Sequence, residues 1–360
     1  MFWIILLVIV AFSLLVIAHE FGHFIVAKRN GIKVYEFGIG FPPKAWGIKR
    51  GGTEYTINWL PLGGFVRLEG EDNESKTESS FATKSVWVKT KVLMAGVTMN
   101  FLIAWVIFTG LCLVGIANIF PFPLPSVGPI APVASEAPRL VAFSIAPGSA
   151  AEKAGLQTGD AIISLDGQKP TDEQVLRTLS RDRSGKVVEL VFTQKGTQKS
   201  ATVQLGSDVE KGILGVVALP QVRERYVWWV APIAGLLLMG KVILVSIPLF
   251  FSAIGNIIFH AKVGDGLVGP IGIAAAAPQM VQFGWDYFFA LIASISLSLG
   301  ILNALPIPAL DGGRLALILL RKAGIPLNEK HETWAHFAGF VALIGLGIIV
   351  AISDVSRLWR

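Results

Sequence analysis

The sequence predicts an α-helical polytopic membrane protein of about four transmembrane helices with one small α+β domain inserted on the extracytoplasmic side. Of 360 residues, 53% are hydrophobic and only 16% charged, against roughly 25% charged in an average soluble domain, and the mean hydropathy is +0.62. Long uncharged runs recur towards both ends of the chain. Between them, from about Ala142 to Val217, charged and polar residues return in short alternating runs. An ordinary soluble enzyme is excluded. So is a disordered chain, because 22 Phe and 10 Trp bury more apolar surface than ordering the backbone requires.

The first span is residues 2 to 18, uncharged, with apolar character continuing to Ala27, long enough to cross about 30 Å of hydrocarbon. A cleavable signal peptide fits poorly: no basic residue precedes the run, no small-residue cleavage site follows it, and the first Lys is Lys28. Further spans are expected at Val92 to Gly115, Tyr287 to Leu305 and Phe337 to Ile352. Lys28, Arg29, Lys33, Lys44, Lys49, Arg50, Arg67, Lys76, Lys84, Lys89 and Lys91 all fall between the first two spans, which assigns that loop to the cytosol and the N-terminus to the outside. Arg314, Arg321, Lys322 and Lys330 lie inside again, with Arg357 and Arg360 a mild exception beyond the last span. The net charge of +6 therefore reflects basic loops at a membrane, and no nucleic-acid partner is expected. A single Cys112 allows neither an internal disulfide nor a cysteine cage for zinc.

Residues 226 to 260 are apolar enough to span but too short for two crossings. They are expected to form helices lying in the outer interface, interrupted by Pro232, Lys241 and Pro248 and anchored by Trp228 and Trp229. The resulting organisation is residues 1–117 with two spans, 125–220 as the inserted domain, 221–284 as interfacial helices, and 285–360 with two spans. Within the insert, the stretch from Pro147 to Gly167 resembles the core of a PDZ domain: a short helix ending at Gly155, a turn through Gly159 and Asp160, a strand, and a turn at Asp166 and Gly167. A groove of that kind receives an extended peptide, so a peptide or a substrate ectodomain is the expected partner there, a plain spacer being the alternative.

The chemistry is concentrated in His19-Glu20-Phe21-Gly22-His23 near the cytosolic end of the first span. Positions four apart lie about 40° from each other on a helix, so both imidazoles can grip one metal ion, with Glu20 beside them to take a proton from water. A proton-relaying patch in a transporter helix is the competing reading. His331 and His336, five apart and hence about 140° apart, cannot share a metal in that way and read as interfacial residues at the start of the last span. Two His leave a catalytic zinc one protein ligand short, and a carboxylate commonly completes the set. Asp311 is the candidate, following a span directly where Pro306 and Pro308 end the helix, although an ordinary Asp-Gly turn reads the same way. Asp311 and the His pair reach the same depth if 226–260 crosses an even number of times.

These motifs together resemble the site-2 protease family of intramembrane zinc metalloproteases, most closely its RseP-type members. The resemblance rests on HEFGH, on Gly38 to Phe41 and Trp59 to Val66, on Asn100-Phe101, on the PDZ core, on Val268 to Ile273, and on Asn303 to Gly313. It implies that His19, His23 and Asp311 bind Zn2+, that Glu20 is the general base, and that Asn303 holds the substrate backbone. It further implies a membrane-reentrant β-hairpin over residues 34–68, whose Gly38, Gly40, Gly63 and Gly64 help to bind substrate beside an edge strand. The implied substrates are single-span membrane proteins of the bacterial inner membrane, such as anti-sigma factors and remnant signal peptides, cut in regulated intramembrane proteolysis in contact with membrane lipid. Two departures stand out: Ala95-Gly96-Val97 replaces the usual Ala-Gly-Pro, and there is room for one PDZ domain rather than two. Readings of other classes are a proton- or metal-coupled transporter, for which no repeat symmetry between halves is visible, and an inactive PDZ scaffold, which would be expected to lack part of the His19, Glu20, His23 and Asp311 set.

Overall fold

The computed structural model describes residues 2–71, 75, 77–194, 196–206, 213–260, 263–264, 267–326 and 329–359. Lys76 and Arg360, and the side chain of Lys330, lie outside the described residues. The chain forms two compact units, one of Met1–Ile107, Met239–Ala277 and Leu291–Arg360, the other of Phe108–Leu238 and Pro278–Ala290.

The first unit opens with α1 (Phe2–Arg29). No proline interrupts it, and Lys28 and Arg29 in its last turn suit the negative end of the helix dipole. It stops because Gly31 takes a φ of 65°, which lets the Ile32 N–H reach the Ala27 carbonyl at 3.0 Å and bury Ile32 behind the last turn. Two strands follow, β1 (Val34–Arg50) and β2 (Thr53–Leu68). Their turn is Gly51-Gly52 with φ of 56° and 77°, the two-residue connection with both φ positive that matches strand twist. The expected hairpin over 34–68 is thus present, but folded over itself: Phe37 pairs with both Val66 and Tyr55, so the first half of β1 lies between the two halves of β2. A small core of Ala27, Ile32, Val34, Leu68, Phe81, Val92 and Leu93 ties the end of α1 and both ends of the hairpin to the start of α2 (Val86–Val114).

The second unit takes the end of α2 and then alternates strands and helices: β3 (Ile116–Ala117), β4 (Val133–Ala134), β5 (Arg139–Ile145), α3 (Ala150–Lys153), β6 (Ala161–Leu165), α4 (Glu173–Asp182), β7 (Val187–Gln194), β8 (Thr197–Gln204), β9 (Val216–Gln221) and β10 (Arg223–Arg225). The main sheet has the order β8-β7-β6-β5-β9, antiparallel throughout. Its buried face carries Leu140, Ile162, Leu165, Leu190 and Phe192 over Leu156 and Leu176, the alternation expected of half-buried strands. Gly155 ends α3 with a φ of 78°, and Asp172 caps α4 by accepting the Val175 N–H. Helix, turn and strand over Pro147–Gly167 occur where the sequence places them. Asp286 closes this unit, buried and accepting from Ala117 N–H at 3.1 Å and from Arg223 at 2.8 Å.

The remaining helices are α5 (Ala231–His260), α6 (Pro270–Phe283), α7 (Trp285–Ala304), α8 (Asp311–Lys322) and α9 (Glu329–Leu358). Here the structure corrects the sequence reading. Residues 231–260 form one continuous helix, not a broken series. Pro232 falls in its first turn, where the missing N–H has no intrahelical partner to lose, and Pro248 removes a single backbone bond from a long apolar helix that keeps the rest. Among the described residues, five helices rather than four are therefore long and apolar enough to cross a membrane: those beginning at Phe2, Val86, Ala231, Trp285 and His331.

Candidate metal centre

His19 and His23 lie on the same face of α1, both buried. Asp311 opens α8, where a carboxylate suits the helix N-terminus. His19 Nε2 lies 3.0 Å from Asp311 Oδ2 and 3.1 Å from His23 Nε2, and His23 Nε2 lies 3.3 Å from the same carboxylate oxygen. Ligands about 2.0 Å from a tetrahedral zinc are spaced about 3.3 Å from one another, so this triangle has the size of one face of such a site. Two imidazole nitrogens and a carboxylate oxygen that converge within 4.8 Å of one another make a donor set of the kind that binds zinc. The His23 Nδ1–H donates to the Val92 carbonyl at 2.7 Å; a carbonyl only accepts, so Nε2 is left free to bind a metal.

The close approach of α1 and α2 depends on two glycines. A Cβ at Gly22 would stand 2.5 Å from the Ala95 carbonyl oxygen, and one at Gly96 would collide with both imidazoles, 2.6 Å from His19 Cε1. Val97, which occupies the place of the usual proline, is fully buried within an unbroken α2. Asn100 is completely buried one turn beyond Gly96, with Nδ2 3.2 Å from His19 Nδ1. Its backbone carbonyl accepts from Ser296 Oγ at 2.8 Å.

The loop that carries Asp311 is held from several sides. Cβ atoms at Gly312 and Gly313 would run into the carbonyls of Ala304, Leu305 and Ile307, so only glycines let α8 fold back against the end of α7. Ala309 takes a φ of 80°, a strained setting for a residue with a Cβ, and its N–H donates to His336 Nδ1 at 3.0 Å. His336, read from the sequence as an interfacial residue, thus has a second function in securing the Asp311 loop. One turn into α8, Arg314 pairs with Glu71 from the segment after the hairpin.

The hairpin packs along α1 immediately before the HExxH motif. Ser13 donates to the Pro61 carbonyl at 3.1 Å. Gly63, with a φ of 69°, and Gly64 meet Val16 and Ile17, while Gly38 lies under the Phe65 ring and Gly40 takes a φ of 76°. All four glycines serve close packing. Glu20 is half-buried on α1, and Asn303 is half-buried near the end of α7 with no hydrogen-bond partner among the described residues.

Residues 7–346 match Peptidase family M50. The chain belongs to peptidase family M50. A zinc metalloprotease by name from Clostridium perfringens is 32% identical over 357 residues, covering 98% of each chain. The zinc metalloprotease RasP of Geobacillus kaustophilus is 26% identical over 437 residues, covering 97% of each. Protease RseP of Yersinia pestis is 28% identical over 446 residues, covering 99% of each. Among solved structures, the PDZ domain of an SdrC-like protein from Listeria monocytogenes is 19% identical, covers 24% of this chain and 93% of its own, and gives a TM-score of 0.21. As an M50 member, the protein is a zinc metalloprotease with the multi-helix character of a membrane protein.

Proposed function

We propose that this M50 protease hydrolyses peptide bonds within the membrane segments of single-span proteins, in regulated intramembrane proteolysis. The observation that carries this reading is the convergence of His19, His23 and Asp311 from two elements of a unit whose helices are long and apolar enough to lie in a bilayer.

His19, His23 and Asp311 would hold zinc. Zinc when bound supplies a Lewis acid that polarises a carbonyl oxygen and makes a water more acidic. Glu20 accepts the proton of the attacking water on its carboxylate and delivers it to the leaving amide nitrogen. The folded hairpin leaves strand edges at Gly64–Leu68 and Lys44–Arg50, and an unwound substrate can add its backbone there. Unwinding is required because a helix keeps its own carbonyls engaged. Asn303, without a side-chain hydrogen-bond partner among the described residues, is suited to hold the substrate backbone in the site. Exposed Trp46, Trp59, Leu60 and Leu62 on the hairpin suit a membrane-embedded surface.

The same elements support a topology for this reading. His336 marks the level of the Asp311 loop on α9. Asp354, which accepts the Gly269 and Gly272 N–H groups, lies about 27 Å further along that helix at 1.5 Å per residue. The segment after α5 therefore sits a bilayer's thickness from the site. In this reading α5 lies along the outer interface, and the PDZ-like domain with its peptide groove is extracytoplasmic, in a bacterial inner membrane. Anti-sigma-factor-like proteins and remnant signal peptides are the substrates in this reading, in keeping with a relative from Salmonella typhimurium, 28% identical, named regulator of sigma E protease.

The test is the position of the cut. A purified single-span substrate with a helix-weakening residue in its span, incubated with the enzyme in liposomes, should yield products that mass spectrometry places inside the span. Cuts confined to the soluble flanks would refute the reading.

A further inference from the structure

Asn100 is completely buried, its Nδ2 faces His19 Nδ1 at 3.2 Å, and its Oδ1 is buried with no hydrogen-bond partner among the described residues. His19 Nε2 converges with His23 Nε2 and Asp311 Oδ2. A neutral imidazole carries one proton, so a His19 that offers its Nε2 lone pair to a metal carries that proton on Nδ1. An Nδ1–H cannot face an amide NH2, since both are donors. It can face the amide oxygen, and rotating the carboxamide by half a turn exchanges the two atoms without moving the side chain. Either orientation leaves one amide atom without a partner, so hydrogen-bond counting within Asn100 does not choose; the demand of His19 does.

We propose that Asn100 is a positioning residue for the metal: its Oδ1 accepts the His19 Nδ1–H, fixes the tautomer, and aims Nε2 at the ion. The Val92 carbonyl does the same for His23 from the same helix. α2 thus orients both histidines of α1, with Gly96 between the two acceptors making room for the rings. The proposal rests on the zinc reading of the site above. It assigns a function to Asn100 that the His19 spacing motif does not contain.

The test uses purified full-length protein in detergent and measures zinc affinity by competition with a chromogenic chelator, with circular dichroism of the metal-free protein as a fold control. Asn100→Leu keeps the shape and removes the acceptor; affinity should fall about 10- to 100-fold, the usual effect of losing such an outer partner. Asn100→Asp keeps the acceptor and removes the donor; it should hold zinc as tightly as the wild type or more so. A 10- to 100-fold loss against the wild type in a folded Asn100→Asp would overturn the proposal, and that result decides even if Asn100→Leu fails to fold. Unchanged affinity in a folded Asn100→Leu would overturn it as well. A wild type that binds no zinc at all would instead overturn the metalloprotease assignment of the site, a distinct result.

Discussion

Gly96 stands against the two imidazoles, and the absence of its side chain is what allows α1 and α2 to close around them. Gly96→Ala places a methyl group on His19 and His23; overpacking of this kind costs about 1–3 kcal/mol, and zinc affinity and cleavage should both fall about 10-fold or more. Gly110→Ala on the same helix meets nothing within 4 Å and should leave both unchanged, which separates packing at the site from general helix effects. Chelator competition on the two variants side by side checks this. At this scale the sequence was partly legible. His19, Glu20 and His23 declare themselves by helical spacing, and Asp311 by the prolines that break the chain before it. Asn100 stood out only as part of the family resemblance and His336 only as an interfacial residue, neither with its contact. Their contacts join residues 81 and 27 positions apart, and no local periodicity encodes which buried amide will meet which imidazole.

At the scale of elements, the Asp311 loop and the hairpin are each held by a few identifiable contacts. His336→Ala leaves the Ala309 N–H without its acceptor in a strained loop. A lost partner of this kind costs about 1–3 kcal/mol, so kcat should drop about 10-fold while the fold persists by circular dichroism. The Arg314 and Glu71 pair joins the start of α8 to the end of the hairpin segment. Arg314→Glu should impair cleavage, and adding Glu71→Arg should recover part of it; no recovery in the double variant would mean that the pair does not act through its charges. The hairpin over 34–68 was legible through the family resemblance. Its doubling back was not, because register is decided by tertiary packing against α1. The continuity of α5 was misjudged for a related reason: proline counts as a breaker in water, whereas an apolar surrounding raises the cost of freeing further backbone groups and keeps the rest of the helix intact.

At the scale of the whole molecule, composition pointed to a polytopic protein, and the long apolar helices agree with that. The number of crossings was the weak point, since α5 is long enough to cross by itself. If it lies along the outer face, a cysteine introduced at Lys241 is labelled by a membrane-impermeant reagent from outside in intact cells, against a background in which the native Cys112 is buried. Labelling only after access to the cytosol would contradict that placement. The most direct test of the central claim compares wild type and Glu20→Gln in liposomes with a single-span substrate, measuring bound zinc and cleavage together. Both proteins should hold zinc, and only the wild type should cut within the span. Cleavage by Glu20→Gln at the wild-type rate, or a wild type that cuts without zinc, would contradict that claim.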